Sequence, residues 1–396
     1  MDFSKILQPE IQQFISENGS ANINQLALKK SPFPEIPYNV LLNQIAAKQK
    51  AKDKLPTWFH TNNIIYPEKI SIEQTSSEIT AKYKASFLSG TSVIDLTGGF
   101  GVDDYYFSKV VEKVTHCEIN AELSEIVKHN CKQLQVDNME CFAGDSAVLL
   151  KDLNQKFDTI YIDPSRRNDA KGKVFMLADC LPNVVDLQDF YFTYSNKILV
   201  KTAPILDIQA GLNELKNVKN IHIVAVENEV KELLWEIEKN WNSIPVITTI
   251  NFEKNKVFQN EITLESNETA TYSLPKKYLY EPNAALMKSG CFEAISSIFS
   301  VDKLHQHSHL YTSDLLQPFS GRSFEIITAI PYQKNEIKTH LLNKKMNVTT
   351  RNFPLKVDEI KKKHKISDGG TIFAFFTTNL NNEKIVLLCE KIENHE

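Results

Sequence analysis

No apolar stretch in the chain approaches the ~18 residues that a membrane-spanning helix needs, so a helical membrane protein is not expected. No two of the six cysteines, Cys117, Cys131, Cys141, Cys180, Cys291 and Cys389, are spaced as C-x-x-C. With no signal-peptide pattern either, reduced thiols in a cytoplasmic setting fit best. The opening MDFSKILQPEIQQF has neither an apolar core segment nor arginine-rich transit character. Internal repeats and low-complexity tracts are also missing. So is a large excess of either charge: 45 Lys and Arg face 49 Asp and Glu in 396 residues. That excludes a simple polycation for nucleic acid. The balance is uneven, however. From Lys276 onward 17 basic residues meet 13 acidic ones, a net of +4 that leaves −8 on the first 275 residues. Across Lys334–Lys365 basic residues outnumber acidic ones ten to three, and a local patch decides partners more than the total does.

Hydrophobic residues make up 42% of the chain, enough core for the two or three domains its length suggests. Residues 1–65 read as a helical region. EIQQFISEN and INQLALKK are short amphipathic pieces, and SPFPEIP is a proline-rich link. YNVLLNQIAAKQKAKDKL then has apolar residues at 40–42 and 45–47 and a cationic end that suits the helix dipole; Pro56 stops it. Residues 66–255 begin with another helix and then alternate. Candidate strands are Ser92–Leu96, Lys113–Glu118, Met139–Ala143, Thr159–Asp163, Lys197–Lys201, Ile221–Glu227 and Val246–Asn251. Alternation with helical patterns predicts a mostly parallel sheet covered on both faces. A polar, β-leaning break at 253–278 precedes a smaller α+β region, expected as two parts, a ferredoxin-like linker at 276–322 and a module at 323–396. The latter holds the strands FEIITAIPY, KKMNVTTRNF, TIFAFFTTNL and KIVLLCEKI and the helix VDEIKKKHK.

The first strand runs into Asp95-Leu96-Thr97-Gly98-Gly99-Phe100-Gly101. A glycine turn after a buried strand lets a ligand approach the backbone closely. A dinucleotide site would continue G-x-G-x-x-G, but Asp104 stands at the last position. An acid near a helix N-terminus repels a pyrophosphate. S-adenosylmethionine has no phosphate and carries a cationic sulfonium, so it tolerates acids. Glu118 ends the second strand, placed to accept from two ribose hydroxyls. Asp145 follows the third strand, where it suits an adenine amino group, a helix N-cap, or both. Asp163-Pro164 ends the fourth.

These signals, in this order, resemble the class I S-adenosylmethionine-dependent methyltransferases. More narrowly, EQTSSEITAKYKA, DLTGGFGVD, IDPSRR, VKTAPILDI and ENEVKELL resemble a bacterial methyltransferase family with a C-terminal THUMP-like domain, matched here by TTRNFPLKVDEIKKKHKISDGGTIFAF. The resemblance implies an α/β, Rossmann-like sheet of seven strands and S-adenosylmethionine as cofactor. It implies cofactor contacts at Asp95, Thr97, Gly99, Gly101, Glu118, Ile119, Asp145, Ser146 and Asp163, with Gln74, Ser76 and Ser77 covering the bound molecule. Ser76 and Ser77 also read as helix-capping chemistry. Thr97 stands where most class I enzymes have glycine, and its hydroxyl is expected on the cofactor's amino acid moiety.

Many amino-methylating enzymes of this class follow the fourth strand with a second proline and an aromatic residue. Here Ser165, Arg166 and Arg167 follow instead. Asp163, Pro164 and Ser165 are the expected catalytic group, Asp163 orienting an attacking nitrogen. Arg166 and Arg167 can stack on a base or fork onto a phosphate; alternatively they pair with Asp103 or Asp104. Lys201 ends the fifth strand beside the same crevice. Lys344, Lys345, Arg351, Lys361, Lys362 and Lys363 form an expected RNA-backbone footprint. The leading reading is an RNA methyltransferase acting on a base nitrogen of tRNA or rRNA. The alternatives are a methyltransferase of protein or small molecules, and an RNA-binding protein with a vestigial cofactor site. The histidines of HQHSH, His305, His307 and His309, read as a polar loop, and no metal is expected.

Overall fold

The computed structural model describes residues 3–166, 176–264 and 269–392, with residues 69–71 as backbone only. The chain divides into two compact units, Met1–Val218 with Leu234–Asn242, and Lys219–Leu233 with Ser243–Glu396. The first unit opens with helices α1 (Phe3–Ile6), α2 (Pro9–Glu17), α3 (Ile23–Ala27) and α4 (Tyr38–Lys54). Their apolar faces meet in one cluster that includes Ile11, Ile15, Leu26, Leu41 and Ile45. Pro56 does end α4, because it takes the first position of α5 (Pro56–His60), where its missing N–H is no loss. Helices α6 (Lys69–Gln74) and α7 (Glu78–Ala85) lead to the sheet.

Polar clasps hold this helical region to the rest of its unit. Asn130 donates to the Ile65 carbonyl at 2.8 Å and accepts from the Ile65 amide at 3.0 Å. The buried Glu78 accepts from the Thr57 amide and hydroxyl and from the Tyr106 hydroxyl.

The unit's sheet contains β1 (Ser92–Asp95), β2 (Lys113–Glu118), β3 (Met139–Ala143), β4 (Thr159–Ile162) and β7 (Lys197–Thr202). Their order is β3-β2-β1-β4-β7, with every neighbouring pair parallel. The helices between and after them are α8 (Val102–Phe107), α9 (Ala121–Gln133), α10 (Ser146–Leu153), α11 (Val184–Tyr191) and α12 (Ile208–Glu214). Central strands covered on both faces read as continuous apolar runs; Thr159–Ile162 is buried at every position. Beyond Pro164 a two-residue ribbon forms, β5 (Ser165–Arg166) antiparallel to β6 (Cys180–Leu181).

The chain continues with β8 (Val218–Val226), β9 (Glu229–Glu238), β10 (Val246–Glu253) and β11 (Lys256–Thr263). Strand β10 runs parallel to β8, and β11 antiparallel to β10. The seven expected strands are all present, and β9 and β11 occur in addition to them. The turn into β9 is tight: Glu227 and Asn228 both hold positive φ, 50° and 61°, the backbone of a two-residue hairpin whose twist matches its strands.

In the second unit a separate sheet is built from β12 (Tyr278–Pro282), β13 (Asp302–Lys303), β14 (Tyr311–Ser313), β15 (Gly321–Pro331), β16 (Asn347–Thr350), β17 (Ile372–Thr378) and β18 (Lys384–Lys391), in the order β13-β14-β12-β15-β18-β17-β16. Helices α13 (Ala284–Ser289), α14 (Phe292–Phe299), α15 (Lys334–His340) and α16 (Val357–His364) accompany it. The parts expected at 276–322 and 323–396 therefore share one sheet, joined where β12 pairs with β15. Two apolar clusters belong to it, one around Leu279, Phe324, Phe375 and Leu387, the other around Ile330, Ile337, Ile360, Phe376 and Leu388.

Candidate functional site

The strand β1 delivers Asp95 to the C-terminal edge of the first unit's sheet, where the chain turns sharply. Gly99 and Gly101 adopt left-handed conformations, φ 54° and 72°. Gly98 has no such φ but no space either, since a Cβ there would lie 2.1 Å from the His116 ring. Glu118 ties the turn to β2: its Oε2 accepts from the Gly99 amide at 2.9 Å and its Oε1 from the Asn120 amide at 2.8 Å. Next to it Ile119 is 78% exposed. Asp145 caps α10, accepting from the Ala147 and Val148 amides. Gly144 before it has open space where a Cβ would be, and Ser146 is half-buried.

Asp163 leaves β4 half-exposed and forms a salt bridge with Lys201 of β7, whose side chain is largely buried. Lys201 was expected at the rim of this crevice, and its partner is the expected catalytic acid itself. Pro164 is buried and Ser165 exposed. Arg166 is half-buried in the β5–β6 ribbon, and Arg167 lies outside the described residues. Thr97 links two strand ends. Its hydroxyl donates to Asp95 at 3.1 Å and accepts from the Asp163 amide at 2.7 Å. It therefore couples the ends of β1 and β4, with one acceptor lone pair of the hydroxyl remaining.

Beneath the turn lies a buried ionic layer that local sequence gave no sign of. Lys84, fully buried, meets Asp103 at 3.2 Å. Asp103 Oδ2 also accepts from Ser76 at 2.9 Å and Tyr161 at 2.8 Å. Ser76 accepts from Lys84 as well, which ties its hydroxyl into this layer. Ser77 caps α7 through the Thr80 amide, as its capping chemistry predicted. Gln74 remains exposed. Asp104 Oδ2 meets His116 Nδ1 at 2.6 Å with both side chains fully buried. Burial, and then each acid's charged neighbours, push the Asp95 and Asp104 carboxyls well above the usual carboxylate range.

The expected RNA footprint separates into two groups. Lys344, Lys345, Lys362 and Lys363 are exposed. Lys361 pairs with Asp368 at 2.6 Å. Arg351 pairs at 2.9 Å with Glu281, a buried carboxylate that also holds Arg322. The histidine cluster is structural in its contacts. His305 meets Asn382 and Asn352. His309 stacks on Phe292 with centroids 3.6 Å apart, and burial lowers it to about 4.

The parallel strand order, with acids ending the strands around a glycine turn, defines a Rossmann-like class I methyltransferase fold. The crystal structure of a candidate methyltransferase from Porphyromonas gingivalis W83 superposes on the chain with a TM-score of 0.88 at 30% identity, covering 99% of this chain and 100% of that one. The chain belongs to that protein's family. A family model described as a ferredoxin-like domain matches residues 278–319, and one described as THUMP domain-like matches residues 321–391. Two curated relatives carry the name uncharacterized RNA methyltransferase. The one from Clostridium acetobutylicum is 34% identical over 102 residues, 24% of this chain and 22% of that protein. The one from Clostridium tetani is 29% identical over 116 residues, 29% of this chain and 24% of that protein. The chain thus spans less than a quarter of the length of either curated relative. Among the described residues no helix is long and apolar enough to cross a membrane.

Proposed function

We propose that the protein transfers a methyl group from S-adenosylmethionine to a base nitrogen of structured RNA, a tRNA or an rRNA, in the cytoplasm. The observation that carries this reading is the row Asp95, Glu118, Asp145 and Asp163 at the C-terminal ends of four adjacent parallel strands, around a turn opened by Gly99 and Gly101. The residues suit the cofactor. Glu118 offers its carboxylate to the ribose hydroxyls. The exposed Ile119 offers an apolar face to adenine, and Asp145 with Ser146 offers polar groups to its edge. Gln74, Ser76 and Ser77 belong to the segment that would cover the site. The cofactor supplies an electrophilic methyl on a sulfonium.

The chain's own part is positioning, which carries much of the rate of an in-line displacement. Asp163 accepts a hydrogen from the acceptor nitrogen and aims its lone pair. Lys201 holds that carboxylate in one orientation, and Thr97 fixes the backbone beneath it. Buried Pro164 stiffens the strand end, leaving Ser165 and Arg166 toward the substrate side with Arg167 next in sequence. The RNA half of the reading draws on the names of the curated relatives, the THUMP-like match and the basic run Lys334–Lys365.

Calorimetric titration with S-adenosylmethionine, followed by tritium transfer to RNA from cells lacking the gene, tests it. Micromolar cofactor binding lost in Asp95→Ala and Glu118→Ala, together with label in tRNA or rRNA, is the expected result. Cofactor binding with label only in protein or small molecules would move the activity to the first alternative. No binding of cofactor, with or without RNA, would leave a binding protein.

A further inference from the structure

The THUMP-like domain contains a cavity of about 410 Å3 between the end of β15 and helices α15 and α16. Ile337 and Leu342 form its floor, Tyr332 and His364 its wall, and Lys334, Lys338 and Lys363 its mouth. The volume falls within the roughly 300–1,000 Å3 of small-molecule sites. The wall is rigid. The Tyr332 ring packs edge-on against Phe353 at 5.0 Å and Phe376 at 6.0 Å. Its hydroxyl lies 2.9 Å from His364 Nε2 and 3.2 Å from Lys363 Nζ. Burial, helped by the Lys363 charge, holds His364 below its ordinary value. With its proton on Nδ1 the neutral ring accepts from the phenol, whose oxygen accepts from Lys363. All three mouth lysines are exposed, and no carboxylate lines the cavity.

We infer that this cavity takes one unpaired nucleotide of the RNA, its base against Tyr332 and the apolar floor and its flanking phosphates at Lys334, Lys338 and Lys363. The inference rests on the RNA reading above and assigns a specific subsite to it. A planar apolar body with an anion on either side is what an unstacked nucleotide presents. The cavity offers the complement, an aromatic wall and aliphatic floor behind a mouth of one charge sign. An acidic peptide offers charge or apolar bulk at a given residue, not both.

The test uses the full chain without cofactor and compares oligoadenylate with an abasic ribose-phosphate chain of the same length by fluorescence anisotropy. Stacking of one base favours oligoadenylate by at least about fivefold. Leu342→Trp, which fills the floor from a half-exposed position, erases that preference. The pair Lys334→Gln and Lys338→Gln weakens both polymers. Equal binding of the two polymers by the wild type, or a preference that survives Leu342→Trp, overturns the subsite while RNA binding itself stands. Equal competition by polyglutamate overturns it in favour of a protein partner. Binding of neither polymer, with no methyl transfer to RNA, removes the RNA reading along with it. Should Leu342→Trp melt early, cross-linking of wild-type protein to 4-thiouridine RNA decides. Adducts on the Tyr332 or His364 peptides support the subsite, and adducts confined elsewhere overturn it.

Discussion

Glu118 both holds the glycine turn and faces the proposed ribose site, so its removal acts twice. Glu118→Ala is expected to lower stability by roughly 1–3 kcal/mol, because two amides lose a charged acceptor, and to abolish measurable cofactor binding by calorimetry. Asp163→Asn separates binding from chemistry. Methyl transfer is expected to fall about 100-fold or more, with cofactor affinity nearly unchanged, since the Thr97 contact uses the Asp163 amide and not its side chain. The buried acids give a pH signature. A carboxyl whose pKa is raised on folding binds its proton more tightly folded than unfolded. Its contribution is therefore most favourable below the unfolded carboxylate range near ~4 and is lost as pH rises toward the folded value. Asp104→Asn removes one such group, so its melting temperature relative to wild type should climb with pH in scanning calorimetry. A flat difference would mean that Asp104 binds its proton no more tightly in the folded chain than in the unfolded one. The strand-end acids were legible because each ends or follows a segment readable as a strand. The layer of Lys84, Asp103, Ser76 and Tyr161 was not, because it joins residues that only the fold brings together.

At the scale of elements, short strand-forming runs between helical patterns announce themselves, and the expected Lys113–Glu118 and Met139–Ala143 match the observed bounds. Strand β9 does not. Its VKELLWEIE is rich in strong helix formers, yet pairing with its neighbours overrides that preference. The turn before it gave the better signal, since asparagine tolerates the left-handed backbone there. Two glycines pack closely against rings of neighbouring elements. A Cβ on Gly98 meets the His116 ring, and one on Gly211 of α12 would lie 2.3 Å from the Trp235 ring. Trp235 cannot easily yield, because its Nε1 donates to Thr202 at 3.0 Å. Gly211→Ala is expected to cost roughly 1–3 kcal/mol by overpacking, measured by urea denaturation. Gly98→Ala should cost a similar amount and weaken cofactor binding too, which Gly211→Ala should not.

For the whole molecule, the uneven charge is the feature most open to measurement. If the exposed Lys344, Lys345, Lys362 and Lys363 neutralise RNA phosphates, affinity should fall linearly on a log–log plot against salt. Each lysine replaced by glutamine should reduce that slope by about 0.7–0.9. Arg351→Gln should instead destabilise the second unit, because it leaves the buried Glu281 with one partner fewer. Sequence alone assigned all of these cations to one surface, since a buried carboxylate 70 residues upstream leaves no local trace.

Strand β18 lies inside its sheet, between β15 and β17, although it is the last of the seven strands to be synthesised. A nascent chain on the ribosome therefore carries β15 and β17 with open edges until residues 384–391 have emerged. Open edges invite pairing with other chains, and domains complete in order of synthesis at roughly 5–20 residues per second. The methyltransferase-type sheet is complete well before that point. Translation arrested just short of Lys384 would release a chain with its β1–β4 core formed and its THUMP-like half primed to aggregate.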